Sequence, residues 1–136
     1  MINFYMYYNR YGLDKEEYAP LFDQLDEGEY TKELEPIAHI IKKDSWHAYQ
    51  YAYSIIRGRW IEAEPYIMKD SISAYSYALY VIRGRWEEAE SVIIADPRSA
   101  WLYAWYILKS RWVEAEPYIK EDDYWWGQYC RHFKLL

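Results

Sequence analysis

Residues 70–95 read DSISAYSYALYVIRGRWEEAESVIIA, and this stretch decides the fold because the chain repeats it. Residues 44–69 and 96–121 align with it without gaps, and a shorter copy begins at Asp122. Self-similarity at a fixed period between about 20 and 50 residues is the signature of stacked-repeat architectures. We therefore expect several copies of one small element, each packed on the next.

Each copy begins with a helix that the spacing of its residues predicts. Aspartate opens every copy and is a preferred N-cap residue; these aspartates are Asp44, Asp70, Asp96 and Asp122. Counted from the aspartate as position 0, the apolar positions +4, +7, +8, +11 and +12 form one stripe on a helix. In the second copy they are Ala74, Tyr77, Ala78, Val81 and Ile82. Gly58 and Gly84 at +14 predict a left-handed helix stop, which Ser110 replaces in the third copy.

A second, shorter helix is predicted from the tryptophan of each copy, at Trp60, Trp86 and Trp112. Pro65 and Pro117 lie about one turn into this helix, so we expect it to kink or restart there. Ser91 in the second copy indicates that the proline is not required. Neither helix is long enough to be stable alone. The sequence therefore predicts an all-α fold, a short α-solenoid of stacked helical hairpins with terminal caps.

The two ends of the chain differ from the central copies. Residues 14–43 hold a diverged copy, with an aspartate and a glycine at the repeat spacing (Asp14 and Gly28), and are predicted to be a cap. Residues 1–13 fit no copy and are expected to form an arm. Residues 122–136 supply one helix, which predicts a C-terminal cap. With 136 residues, the chain is expected to form one domain.

Composition limits the function classes. The chain has 18 Tyr and 8 Trp, and its net charge of -6 disfavours a duplex-binding surface. Cys130 is the single cysteine, so no intrachain disulfide is expected and a reducing compartment is favoured. The N-terminus lacks the pattern of a signal peptide, and no apolar run approaches the roughly 18 residues of a membrane span. We therefore expect a cytoplasmic protein without a membrane partner.

Paired glutamates recur in every copy, as Glu62/Glu64, Glu88/Glu90 and Glu114/Glu116. General acid–base catalysis needs two carboxylates in different environments across a cleft. Here the pair repeats at the start of each second helix, where the helix dipole favours glutamate. Ion pairs with Arg59, Arg85 and Arg111 are also expected. We therefore interpret the pairs as structural and expect no enzymatic activity.

No metal or cofactor site is expected. His39, His47 and His132 form no two-histidine helical pair, and Cys130 has no second cysteine with which to bind zinc. Cys130 occupies position +8, where the other copies have alanine, so it is interpreted as a small core residue rather than a nucleophile.

A repeated row of cationic residues supports one alternative function. These residues are Arg57, Arg59, Arg83, Arg85, Lys109 and Arg111. With aromatic residues beside them, they could bind phosphate groups of a single-stranded nucleic acid or a nucleotide. Glutamates follow each cationic pair closely, however, and helix C-termini attract cations for local reasons. Nucleic-acid binding is therefore kept as an alternative.

The aromatic residues that differ between copies are the leading candidates for a partner-binding surface. They occupy positions +5, +9 and +10 and are Tyr49, Tyr75, Trp101, Trp105, Tyr80 and Tyr106. Position +10 lies away from the apolar stripe, while +5 and +9 flank it. Exposed Tyr and Trp are typical anchors of protein interfaces. The other interpretation is that both flanks are used to stack the copies.

The segment from Gly58 to Ile67, GRWIEAEPYI, together with Tyr51 and Ala52, resembles a set of short-repeat proteins associated with bacteriophages. A more distant similarity is to tetratricopeptide and Sel1-like repeats; the tetratricopeptide period of about 34 residues is longer. The aromatic residues and the lack of a catalytic constellation predict a non-enzymatic module that binds another protein. The phage resemblance implies that this partner is a host protein, for example of a defence system, which the module blocks sterically in the host cytoplasm. Self-assembly into a homo-oligomer is a further alternative.

Overall fold

A computed structural model describes residues 15–135 of the chain. The predicted arm at residues 1–13, the predicted cap residue Asp14 and the last residue, Leu136, lie outside the described residues. Residues 15–135 form helices joined by turns, with no strand among them, which confirms the all-α prediction.

The described residues cluster in space into two compact units, which we call the N-terminal unit (residues 15–67) and the C-terminal unit (residues 68–135). The boundary lies near the end of the first copy. That the chain folds as one domain stays a prediction.

The diverged copy supplies most of the core of the N-terminal unit. Its helices are Lys15–Asp26, the 3₁₀ helix Lys32–Ile37 and the short α-helix Ala38–Ile41. Beyond the first helix, Gly28 has a φ of 76°, the left-handed conformation that glycine adopts without steric cost. The buried core cluster consists of Phe22, Leu25, Leu34, Ile37, Ile40, Ile41 and Tyr51.

The first helix of each full copy starts at the predicted aspartate. Its α-helical part is followed by a π-helical part, and the bounds are Ser45–Tyr51 with Ala52–Ile56, Ser71–Tyr77 with Ala78–Ile82, and Pro97–Tyr103 with Ala104–Leu108. In the second copy the Asp70 carboxylate accepts a bond from the backbone N–H of Ser73 at 2.9 Å. The same cap is made by Asp44, Asp96 and Asp122. The predicted N-caps are therefore confirmed.

The first helices end one residue earlier than the glycine stop predicts. The last turn widens, so that the N–H of Arg57 donates to the carbonyl oxygen of Ala52, five residues back, at 2.7 Å. This wider turn places the left-handed residue at position +13. Accordingly φ is 59° at Arg57, 61° at Arg83 and 54° at Lys109.

The predicted left-handed role of Gly58 and Gly84 is therefore wrong. Neither has a positive φ, and a Cβ atom added to either would meet no atom within 4 Å. The left-handed conformation is adopted instead by the residue before each glycine, Arg57 or Arg83. This explains why Ser110 can replace glycine in the third copy.

The second helices consist of one 3₁₀ turn followed by one α-helical turn. Their bounds are Ile61–Ala63 with Glu64–Ile67, Glu87–Ala89 with Glu90–Ile93, and Val113–Ala115 with Glu116–Ile119. Pro65 and Pro117 lie just inside the α-helical turn, as the predicted restart requires. The second copy changes helix type at the same position with Ser91, so the proline is not the cause.

The predicted apolar stripe is buried over most of its length. Ala74, Tyr77 and Ala78 are completely buried. Val81 and Ile82 are partly exposed, because they lie in the π-helical part, where the 3.6-residue spacing no longer applies. In each copy the buried tyrosine packs on the tryptophan, with ring centroids 5.0 Å apart in Tyr51–Trp60, Tyr77–Trp86 and Tyr103–Trp112.

Within the C-terminal unit, successive copies pack through their helices. The Ser71 hydroxyl donates to the carbonyl oxygen of Val92 at 2.6 Å and so ties the two helices of the second copy together. Pro97–Tyr103 packs against both Ser71–Tyr77 and the last helix, Asp123–Phe133. The last helix follows the third copy as the predicted single helix of residues 122–136.

Candidate functional site

An arginine and a glutamate form a two-bond ion pair in every full copy. In the first copy Arg59 donates from Nε to Glu64 Oε2 at 2.8 Å and from Nη2 to Glu64 Oε1 at 2.7 Å. The equivalent pairs are Arg85–Glu90 and Arg111–Glu116. The predicted pairing is thus confirmed for one glutamate of each candidate acid pair. The other members, Glu62, Glu88 and Glu114, are exposed.

A tyrosine of the next copy joins this ion pair in the C-terminal unit. The Tyr103 hydroxyl donates to Glu90 Oε2 at 2.6 Å and accepts from the backbone N–H of Trp86 at 2.9 Å. The same two bonds join Tyr129 to Glu116 and Trp112. Burial, with the adjacent glutamate, raises the pKa of both tyrosines above the usual value, so the hydroxyls stay protonated at neutral pH.

The same bonds keep Glu116 ionised. The Arg111 guanidinium lowers the pKa of Glu116, burial opposes this, and the Tyr129 hydroxyl lowers the pKa further. A carboxylate held in this way accepts hydrogen bonds and is poorly suited to donating a proton. These bonds support the interpretation that the glutamates recur in every copy for a structural reason.

The candidate phosphate-binding residues divide into two groups. Arg59, Arg85 and Arg111 are engaged by glutamates, so their charge is locally balanced. Arg57 and Arg83 lie at the left-handed turns, are exposed, and form no ion pair with any residue in the 15–135 range. In the predicted row of cations, every second side chain is therefore paired with a glutamate.

An exposed aromatic surface lies on the C-terminal unit. We define the aromatic patch as Tyr80, Trp105, Tyr106 and His132. Tyr80 is 50% exposed and Tyr106 is 45% exposed, whereas Trp105 is half-buried. The Trp105 ring stacks on that of Tyr106 at a centroid distance of 4.5 Å, and His132 lies 4.6 Å from Trp105 on another side.

Buried rings support the patch from below. Trp105 also stacks on the buried Trp101, with centroids 5.0 Å apart. Burial raises the pKa of Tyr75, and both Tyr80 and Tyr106 are near enough to raise it further. Tyr75 thus lies near both Tyr80 and Tyr106, the residues at +10 of two successive copies. Trp105, Tyr106 and His132 are consequently held in place by ring packing.

The three candidates at position +5 are not part of the exposed surface. Tyr49, Tyr75 and Trp101 are only 5%, 8% and 3% exposed. Trp101 makes edge contacts with rings of the last helix, including Tyr129 and Phe133. Tyr49 packs between two neighbouring rings of its own helix. Their assignment to a partner-binding surface is corrected, because this flank of the helix is used for packing.

His132 is a member of the patch that the sequence analysis did not select. It occupies position +10 of the last copy, the register that Tyr80 and Tyr106 occupy in the copies before it. Alignment of the incomplete copy at this position would have found it.

The remaining candidate ligands and nucleophile lie apart from the patch. Cys130 is buried, which raises the pKa of its thiol, and its role as a small core residue is supported. His47 Nδ1 lies 2.7 Å from the Tyr30 hydroxyl, and burial lowers the pKa of His47. In the part of the chain that the structure describes, no three His, Cys, Asp or Glu side chains are grouped to hold a metal ion.

Comparison of the chain with protein-family models, curated proteins and solved structures finds no match. No helix within residues 15–135 has the length and apolar character needed to cross a membrane. The function must therefore be inferred from the side chains of the protein itself.

Proposed function

We propose that this protein is a non-enzymatic repeat module that binds another protein through the aromatic patch. In this proposal the stacked hairpins form a short α-solenoid with capped ends, and the patch lies on residues that the repeat does not require. The observation that carries the proposal is the exposure of Tyr80 and Tyr106 at the same register of successive copies.

A tyrosine at position +10 is not needed to form the end of the first helix. The first copy has Ser54 at position +10, and its first helix ends in the same π-helical turn. About half of each tyrosine side chain is in contact with solvent. An aromatic side chain that the backbone does not require, and that remains exposed, is available to a partner.

The packing beneath the patch favours tight binding. A side chain that is already immobilised loses little conformational entropy when a partner covers it. Trp105 is held between Trp101, Tyr106 and His132. Trp and Tyr are also the residue types most enriched among the few side chains that dominate binding energy.

The resemblance of Gly58–Ile67 to phage-associated repeats extends the proposal to the kind of partner. We expect a host protein, for example a component of a defence system, which the bound module blocks by occupying its surface. A location in the host cytoplasm belongs to the same proposal.

The alternatives have less support. Binding of nucleic acid by the whole arginine row is disfavoured, because three of its members are paired with glutamates. Self-assembly through the patch is the competing outcome of the test below.

The test compares host proteins captured by the wild-type chain and by Tyr80→Ser/Tyr106→Ser. Both substitutions introduce the residue that the first copy carries as Ser54, so the backbone should be retained. We expect affinity for the captured partner to fall by about 30-fold or more, the size of an interface hot spot. Circular dichroism verifies folding.

Tyr118→Val is the matched control. Tyr118 is 46% exposed, and the second copy carries Val92 at the equivalent position. The control should bind like the wild type. A partner retained equally by the double variant would contradict the proposal. Light scattering that shows a patch-dependent oligomer of this chain, without a captured partner, would replace it with self-assembly.

A further inference from the structure

A cavity of about 380 Å³ lies in the N-terminal unit, apart from the aromatic patch. It is lined by Thr31, Lys32, Ser54, Ile55 and Arg57. Small-molecule sites usually occupy about 300 to 1,000 Å³, so the cavity is large enough for a compact ligand. Its lining is unusual because it combines two cations, two hydroxyl groups and a single aliphatic wall.

The cavity is associated with a position at which the copies disagree. Ser54 lies at +10, where the second and third copies have Tyr80 and Tyr106. The small serine side chain leaves room that a tyrosine would fill. The first copy thus has a small hydroxyl side chain lining the cavity, where the next two copies have an aromatic ring.

The two cations in the cavity are not neutralised by any residue that the structure describes. Lys32 and Arg57 are exposed, and neither forms an ion pair with another residue that the structure describes. Arg59, two residues further on, is bound to Glu64 in the two-bond pair. Among the described residues that line the cavity there is no Asp or Glu. The cavity thus concentrates positive charge within an acidic protein.

The two hydroxyl groups can act as additional donors. Gln24 Nε2 donates to Thr31 Oγ1 at 2.5 Å, which leaves the hydroxyl hydrogen of Thr31 available for a ligand. Ser54 has no hydrogen-bond partner for its hydroxyl among the residues the structure describes. Two charged and two neutral donors therefore line the same cavity.

The backbone that carries Arg57 is well defined. Arg57 is the left-handed residue that ends the first helix, and the same turn recurs at Arg83 and Lys109. The N–H of Arg57 is bound to Ala52 and cannot rotate away from the helix end. The start of the guanidinium side chain is thus fixed beside the cavity before a ligand arrives.

We propose that this cavity binds the phosphoryl group of a small phosphate ester. A phosphate dianion offers several acceptor oxygens in a tetrahedral arrangement and forms strong charge-assisted bonds with arginine and lysine. A carboxylate has fewer acceptor positions and would leave donors of the cavity unused. Ile55 supplies an apolar wall for the organic part of the ester. The overall charge of -6 disfavours a polyanion at this site.

A second cavity, in the C-terminal unit, has a similar volume but a different balance of charges. It has a volume of about 320 Å³ and is lined by Arg85, Glu90, Ser91, Ile94, Trp112 and Glu114. Its arginine is paired with Glu90, and Glu114 adds negative charge. The second cavity is similar in size to the first, but its charges are balanced. We therefore expect it to show no preference for an anion.

Titration with inorganic phosphate, followed by ¹⁵N chemical shifts, tests the proposal. Sodium chloride at equal ionic strength serves as the reference. We expect saturable shifts around Thr31, Ser54 and Arg57, and none around Arg83. Phenyl phosphate should bind more tightly than inorganic phosphate, because its ring can contact Ile55.

Three variants identify the residues responsible. Ser54→Tyr installs the residue of the other copies and should abolish the saturable shifts. Lys32→Ala should weaken binding by about tenfold or more, the size of a charge-assisted hydrogen bond. Arg57→Gly should do the same while keeping a residue suited to positive φ.

Arg83→Gly is the matched control and should bind phosphate like the wild type. Shifts that grow linearly with phosphate and match those in chloride would overturn the proposal. Unchanged affinity in Ser54→Tyr or Arg57→Gly would overturn it as well. None of these outcomes depends on the aromatic patch, so they are independent of the protein-binding proposal.

Discussion

The first and the second copy have the same backbone pattern but present different surfaces at position +10. Both start at a capping aspartate and end in a π-helical turn with a left-handed arginine. At +10, however, one has Ser54 beside a cationic cavity and the other has the exposed Tyr80. The backbone is thus set by residues that repeat, and the surface by residues that do not.

The largest expected effect comes from breaking what the copies share. Trp112→Ala removes a ring that is 6% exposed and packs on Tyr103, so we expect the free energy of unfolding to fall by about 3–5 kcal/mol. Tyr106→Ser alters a residue that differs between copies and should cost about 1 kcal/mol or less. Urea unfolding followed by circular dichroism measures both. Equal losses would show that the patch is part of the core.

An intermediate effect is expected from the glutamate that joins two copies. Glu116→Gln leaves the Arg111 charge unbalanced and weakens the bond from Tyr129, which should cost about 1–3 kcal/mol. The exposed Glu114→Gln is the control and should change stability by about 0.5 kcal/mol at most. Urea unfolding at pH 7 compares the two variants.

The same glutamate predicts a pH dependence. The folded protein lowers the pKa of Glu116 below the unfolded value, so this group stabilises the fold above the unfolded pKa. The contribution disappears as the pH falls through the folded pKa. As the pH falls from 7 to 3, the advantage of the wild type over Glu116→Gln should therefore decrease. A constant difference between the two over this range would contradict the assigned bonds.

The smallest effect distinguishes two kinds of glycine. Gly28 has a φ of 76°, so Gly28→Ala should destabilise the protein by about 1 kcal/mol. Gly84 has no positive φ and space for a Cβ atom, so Gly84→Ala should leave stability unchanged or raise it slightly. Thermal unfolding measures both. Loss of stability in Gly84→Ala equal to that in Gly28→Ala would contradict the left-handed assignment of Arg83.

Local chemistry allowed much of the fold to be predicted from the sequence. An aspartate just before a helix usually acts as its N-cap. The caps at Asp44, Asp70, Asp96 and Asp122 were predicted from this preference alone. Pairing of the repeated arginines with nearby glutamates was also predicted, but not which glutamate of each pair would bind. The stacking of hairpins into a solenoid stays a prediction.

The helix ends could not be predicted in this way. A count of 3.6 residues per turn does not reveal a wider turn, so the left-handed residue was expected at Gly84 and lies at Arg83. A glycine was taken to mark the left-handed position, although the structure uses a non-glycine residue there.

The surface was predicted only in part. Tyr80 and Tyr106 are exposed as expected, but Trp101 is covered by the last helix, a contact between residues far apart in the chain. The cavity was missed because Lys32 and Ser54 belong to different copies and only the fold brings them together.

The bonds that Tyr103 and Tyr129 make with the preceding copy have a consequence for how the gene can change. Deletion of residues 96–121 would bring Tyr129 into the register of Tyr103, opposite Glu90 and Trp86. The two junctions of the C-terminal unit therefore use the same bonds, and loss of the copy between them by unequal recombination leaves no unmatched junction. The number of exposed +10 side chains, and with it the size of the aromatic patch, can thus change by one copy at a time.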